Sequence, residues 1–278
     1  MNKIYLIQDL DINTYVGGGE LDDKALLELL DFDIEFKTST QLNSMLINKD
    51  DLFIISNFMG LSPDTKRELI FVGNYIIYEK DFKLCKSRVP DTYATPHPYL
   101  PISELHNVEF YNNAKYVVCI TDYHERVYST NLNCNTANIH GVIFSDEELE
   151  LIEQNIGKPK LDKAYIYEMK NHMGMSSTYA THNNILFDMV PKSDRETFLN
   201  AISSYKTHIF ISPITESCSR QCVENKIFGT EIIAGDNVAV LHEPWFKELS
   251  GIDLFNYVKY DMKKNIKETF TTIINELI

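Results

Sequence analysis

Two glutamates, Glu216 and Glu224, stand eight positions apart in the stretch Glu216-Ser217-Cys218-Ser219-Arg220-Gln221-Cys222-Val223-Glu224. The stretch reads as a strand-to-helix turn plus the first two turns of a helix; were it helical throughout, the two carboxylates would lie roughly 12 Å apart along the axis. That is the reach needed to hold both ends of an extended nucleotide-sugar. Between them Ser217 and Ser219 are small, cap-competent residues, and the free amides of a helix start seat a diphosphate. Arg220 adds a cation beside such a charge; a surface helix arginine is the other use of the same residue. Two glutamates at this spacing also occur on solvated helices, so the neighbouring elements have to carry the assignment. The apolar run 207–213, bounded by Pro213, reads as a buried parallel strand. Gly229 sits where a helix would end, and Glu231-Ile232-Ile233-Ala234 reads as the next strand.

The wider pattern, Glu216-x-x-Ser219-Arg220-x-x-x-Glu224-x-x-x-x-Gly229-x-x-Ile232, resembles retaining GT-B glycosyltransferases. It is most similar to glycosyltransferase family 4, in the small form encoded by bacteriophages. The resemblance implies that Glu216 faces the donor sugar and that Glu224 holds the ribose hydroxyls. It also implies the GT-B form of an α/β fold: two doubly wound Rossmann-like domains facing a central cleft, with the C-terminal helix crossing back to the first domain. A second match lies near the start, where Gly17-Gly18-Gly19-Glu20 stands between a first strand and a first helix. Glycines there bring backbone close to phosphate, although a flexible turn needs them equally. In family 4 a Gly-Gly-x-Glu at this place approaches donor diphosphate and acceptor. By that likeness Gly17, Gly18 and Gly19 are donor-binding and Glu20 is acceptor-binding. The family also places a phosphate-binding Lys or Arg after the first strand of the second domain, where Lys170 stands.

Lys80, Lys83, Lys86 and Arg88 put four cations into nine residues of an acidic chain, beside Glu79 and Asp81. The segment follows a fourth strand, Tyr75-Ile76-Ile77-Tyr78, so it should overhang the acceptor side. It reads either as a phosphate-bearing acceptor's contact or as a solvated charged face. Related phage sequences carry a similar Tyr-Glu-x-Asp-x-Lys, with histidines where Lys80 and Phe82 stand here. Asp81 is then the remaining candidate for a base orienting the acceptor, its alternative being a solvated loop aspartate.

Composition bounds the rest. The 278 residues allow two ordinary domains, and 44% hydrophobic with 24% charged residues is a globular balance. Five cysteines without a CxxC pair suit reduced thiols in a cytoplasmic protein, in the host cytoplasm if phage-encoded. No run approaches a membrane span. The net charge of −14 disfavours unselective nucleic-acid binding. Alternating strand and helix patterns run to about residue 155, with 40–47 helix-like, 91–106 a long loop rich in Pro and Tyr, and 139–144 strand-like. They restart at Ala164-Tyr165-Ile166-Tyr167, with Gly157-Lys158-Pro159-Lys160 as a linker. The expected organisation is an acceptor-side domain over 1–157, a nucleotide-sugar domain over 158–251, and a terminal helix over 252–278. Asp9-Leu10-Asp11 has the Asp-x-Asp form that holds metal in GT-A transferases, but directly after a first strand it reads as loop acid. No metal and no cofactor is expected, only a nucleotide-sugar co-substrate.

The expected reaction is sugar transfer with retention, the leaving phosphate helping to deprotonate the acceptor hydroxyl. The phage-like kinship and the basic segment suggest a hydroxymethylated pyrimidine in phage DNA as acceptor; the total charge argues for a glycan or lipid-linked one. A GT-B-shaped nucleotide-sugar epimerase and an inactive partner-binding subunit are the competing readings.

Overall fold

Apolar runs bounded by turn residues make strands buried on both faces, and amphipathic runs between them make helices covering those faces. The computed structural model describes residues 3–14, 17–90, 98–170 and 172–278. The described chain divides into two compact units, 1–145 with 262–278, and 146–261.

The first unit holds β1 (Ile4–Gln8), α1 (Gly18–Leu29), β2 (Ile34–Thr38), β3 (Leu52–Ile55), α2 (Pro63–Val72), β4 (Tyr75–Tyr78), α3 (Val108–Asn112), β5 (Val117–Cys119), α4 (Asp122–Asn131) and β6 (Thr136–Asn138). All its strand pairs are parallel, in the order β2-β1-β3-β4-β5-β6. β1, β3, β4 and β5 are buried along their whole length, whereas the edge strands β2 and β6 are only partly covered. Pro63 enters α2 behind Ser62, whose hydroxyl caps the Thr65 amide.

The second unit holds α5 (Asp146–Glu153), β7 (Leu161–Tyr167), α6 (Met175–His182), β8 (Phe187–Val190), α7 (Arg195–Ile202), β9 (Tyr205–Phe210), α8 (Arg220–Ile227), β10 (Glu231–Ala234), α9 (Pro244–Glu248) and α10 (Gly251–Asn256). Its parallel order is β10-β9-β7-β8. In each unit the first strand lies between the second and the third, so the strand order reverses beside it. Crevices that take ligands in such sheets open at the carboxyl ends of the strands, at that reversal.

A π-helical stretch, Tyr257–Met262, joins α10 to α11 (Lys263–Leu277), which groups with the first unit. There Phe270 meets Tyr78 edge-on at 5.3 Å, Asn265 bonds the Ile139 carbonyl, and Lys267 pairs with Asp31.

Three expectations differ. The helix expected over 40–47 is only a 3-10 turn, Ser44–Leu46, because the Asn43 side chain takes the Met45 amide. The strand expected over 139–144 is instead Thr136–Asn138, and His140, at φ 54°, breaks extension beyond it. Residues 157–160, expected as the linker, lie inside the second unit, together with α5. The loop expected over 91–106 falls partly outside the described residues.

Phe270→Ala should cost about 3–5 kcal/mol of the first unit's stability, as an emptied core aromatic does. Lys267→Ala, which removes a surface pair, should cost under about 1 kcal/mol. Urea unfolding of both variants checks the contrast.

Candidate functional site

In the second unit the Glu216–Glu224 stretch begins as extended chain. Glu216 bridges Val238 in parallel fashion: its amide donates to the Asn237 carbonyl at 3.0 Å, and the Ala239 amide donates to its carbonyl at 2.9 Å. Asn237 in turn donates to the carbonyls of Ser212 and Ile214. The helix starts only at Arg220, with Ser219 at its N-cap, so the stretch is a turn followed by a helix, as expected, and the spacing of a wholly helical stretch does not apply. Strand-like backbone at Glu216 places this acid on the sheet and leaves only Glu224 on the helix. Ser217 and Ser219 are buried, and the Ser219 side chain makes no cap bond to the helix.

Lys170 follows β7 in a 3-10 turn and bonds both Glu216 carboxylate oxygens, at 3.1 and 3.4 Å. β7 and β9 flank the reversal in strand order, so the pair stands where a ligand crevice of this sheet opens.

Glu224 is fully buried on α8. Its Oε1 accepts from Arg195 Nη2 at 2.5 Å, and Arg195 Nε donates to Glu148 Oε1 at 3.0 Å. Glu148 Oε1 also accepts from Arg220 Nη2 at 2.6 Å. Two acids and two arginines thus form one neutral, buried group. Arg220 is neither a surface helix arginine nor turned outward as an open phosphate contact; it faces Glu148. Glu224 Oε2 has no hydrogen-bond partner among the described residues, an omission worth about 1–3 kcal/mol or more for a buried acceptor.

The first unit gathers polar groups at its own strand ends. Gly18, Gly19 and Glu20 open α1, Gly17 is its N-cap, and Lys80 Nζ donates to the Gly19 carbonyl at 2.6 Å. The same ammonium lies 2.5 Å from the buried Asp23, which also accepts from Gln8 and Ser56. Glu79 is buried and accepts from Lys83, from the Tyr111 hydroxyl, and from the Lys80 and Asp81 amides. His124 Nε2 meets the Asp81 carbonyl at 2.5 Å, and the Ile120 amide donates to His124 Nδ1. Burial pushes the His124 pKa down to about 4. The ring is neutral near pH 7, with its proton on Nε2.

This geometry corrects the picture of an overhanging basic loop. Lys83 is almost wholly buried against Glu79, Arg88 pairs with Asp81 at 3.1 Å, and Lys86 donates to the Ser103 carbonyl. Asp81 is about half exposed and ion-paired, a bonded loop aspartate. Asp9, from the Asp-x-Asp, accepts the Met59 and Gly60 amides, so it holds one loop to another.

Reasoning from sequence missed Glu148, Arg195, Glu79, Asp23 and His124. Two signals were present. Glu79 directly continues a wholly apolar strand, and Arg195 and Arg220 are first residues of helices, where the macrodipole disfavours a cation by about 0.3–1 kcal/mol.

Burial raises the Glu20 pKa above the ordinary carboxylate value. The sign follows: protonation is easier in the folded state, so the group costs stability once pH rises through that raised pKa. Glu20→Gln should therefore raise the melting temperature at pH 8 and leave it nearly unchanged at pH 4, as thermal scans at both pH values would show.

Neither protein-family models nor curated proteins give a sequence match. Among solved structures the chain is similar to alpha,alpha-trehalose 6-phosphate synthase from Burkholderia multivorans. The identity is 9% and the TM-score 0.54, with 99% of this chain and 97% of that chain covered. With parallel sheets of six and four strands, each in a Rossmann-like unit, the chain has the GT-B fold.

Proposed function

We propose that this chain is a glycosyltransferase moving a sugar, with retention, from a nucleotide-sugar to an acceptor hydroxyl. The observation that carries the proposal is the Lys170–Glu216 pair at the strand reversal of a GT-B unit, followed by a helix bearing Glu224. In this reading Glu216 faces the sugar, Glu224 takes a ribose hydroxyl, and Lys170 with the amides opening α8 meets the diphosphate. The acceptor oxygen bonds the anomeric carbon as the carbon–oxygen bond to the diphosphate breaks, and the acceptor proton passes to the departing phosphate. By the resemblance, Gly17, Gly18 and Gly19 are assigned to the donor and Glu20 to the acceptor. The residues need no metal in this scheme, because a fixed cation and amides already meet the developing charge.

A specific observation favours a glycan or other small hydroxylated acceptor over a hydroxymethylated base in DNA. Lys80, Lys83 and Arg88 are engaged by Asp23, Glu79 and Asp81, and an acidic chain needs open cations to hold a phosphate backbone. No helix among the described residues is long and apolar enough to cross a membrane.

The test is turnover with uridine, guanosine and adenosine diphosphate sugars, offered with oligosaccharides or with oligonucleotides carrying hydroxymethylcytosine. Glu216→Ala should lower kcat by about a hundredfold, the scale of a lost electrostatic contact to reacting groups. Glu224→Ala should raise the donor KM by about tenfold or more, as a lost hydrogen bond to a charged group does. Full activity in both variants would overturn the site. Sugar release that needs no acceptor and yields an epimer would point to the epimerase reading instead.

A further inference from the structure

The described residues give Glu224 one cationic hydrogen-bond donor, and that donor comes from another helix. Arg195 Nη2 holds Oε1 while Arg195 Nε is held by Glu148, so the guanidinium is fixed at two points. A planar fork held twice fixes the plane of the carboxylate it bonds. Oε2 is left as a buried acceptor without a partner. Arg195 is also the most exposed member of the group, at 18% of its side chain against 0% for Glu224 and 7% for Glu148 and Arg220. Its place at the first position of α7 is opposed by the helix dipole, and the Asp194 cap already bonds the Thr197 amide there. Helix stability therefore does not account for an arginine at 195. The contact to Glu224 does.

Resting on the reading of Glu224 as the ribose contact, we propose that Arg195 is a specificity-determining positioning residue. It holds Oε1 so that Oε2 is the oxygen offered to a ribose hydroxyl of a nucleoside diphosphate. Glu148 serves this arrangement by anchoring Arg195, and Arg220 anchors Glu148 in turn. A site built to accept from a hydroxyl discriminates strongly against the analogue lacking it, because its buried acceptor is then left unpaired. Without Arg195 the Glu224 carboxylate has no fixed plane, and ribose and deoxyribose become alike to it. Lysine, a point charge on a flexible stem, cannot bond both acids as the fork does, so it restores the charge without the orientation.

The experiment is calorimetric titration of the full chain with the nucleoside diphosphates UDP, GDP and ADP and with the 2′-deoxy and 3′-deoxy forms of whichever binds. Unfolding curves first show that each variant is folded. Wild-type protein should prefer the ribose form over at least one deoxy form by about tenfold or more, the scale of one charged hydrogen bond. Arg195→Ala should bring that ratio within about twofold, and Arg195→Lys should leave it below about fivefold. If Arg195→Ala weakens the ribose and deoxy forms by the same factor, Arg195 contributes charge or structure only and the inference is overturned. A ratio retained or increased in Arg195→Ala overturns it as well. Should Glu224→Gln keep the full ribose preference, or should the wild-type protein bind none of the three diphosphates, the underlying reading fails and this inference with it. If Arg195→Ala is unfolded, the Arg195→Lys ratio decides: the wild-type ratio overturns the inference, and a reduced ratio upholds it.

Discussion

Taking a carboxylate out of water costs several kcal/mol unless a cation and further donors meet it, and removing one partner of a buried pair costs about 3–5 kcal/mol. The second unit accepts that cost twice, at Glu148 and Glu224, and meets it with Arg195 and Arg220. The four residues come from α5, α7 and α8, so three helices are held in one arrangement by a neutral cluster. This is why α5 groups with the residues after it. An apolar group of the same volume would stabilise the helices as well or better. Charges at this position instead fit the proposed role of Glu224, whose second oxygen is unpartnered among the described residues, in meeting a polar ligand.

The first unit repeats the device with lysines. Asp23, on α1 against Gln8 and Ser56, and Glu79, directly after β4, are buried acids met by Lys80 and Lys83. The consequence differs from that in the second unit, because here the cations are the residues that looked available for a ligand. Charge density along a sequence counts acids and bases without saying which are paired across the fold. Asp23 lies 57 positions before Lys80 and cannot be matched to it by proximity in the chain. The basic appearance of 80–88 is thus largely the visible half of internal pairs.

Much of the architecture was legible because parallel strands buried on both faces are written as short apolar runs. β1, β3, β4 and β5 are such runs throughout, β7 and β9 only toward their carboxyl ends, and the glycine and proline punctuation around α2 and α8 marked their ends. The misjudged places are local contests for backbone hydrogen bonds. At 40–47 the Asn43 side chain took the Met45 amide that a helix would have used, and at His140 a left-handed backbone stopped a strand whose composition favoured extension. Among the residues of the proposed site, Glu216, Glu224 and Lys170 stand out from spacing and place after a strand. Arg195 does not, since its meaning lies in contacts with helices 29 and 47 residues away. The Glu216 stretch is the strand-to-helix turn that its pattern expects; what the pattern does not carry is the isolated bridge to Val238 that holds Glu216 extended.

Positions 80 and 82, where the resemblance implies histidines, hold lysine and phenylalanine, and the turn after β4 meets an imidazole from another element. Phe82 is buried with its ring 4.8 Å from that of His124, an imidazole supplied to the same turn by α4. Its neutral ring bonds the Asp81 carbonyl, and Tyr128 bonds that carbonyl too. With Glu79 taking the Lys80 and Asp81 amides from the other side, the turn after β4 is fixed by backbone contacts on both its faces. A histidine at position 82 would have had to enter an apolar core, where a polar ring without partners is costly. Phenylalanine there fills the core, and the polar work of holding the turn passes to a ring whose two nitrogens both find partners. The imidazole that holds this turn is supplied by α4, and its buried position makes it a support for the turn rather than a ligand contact.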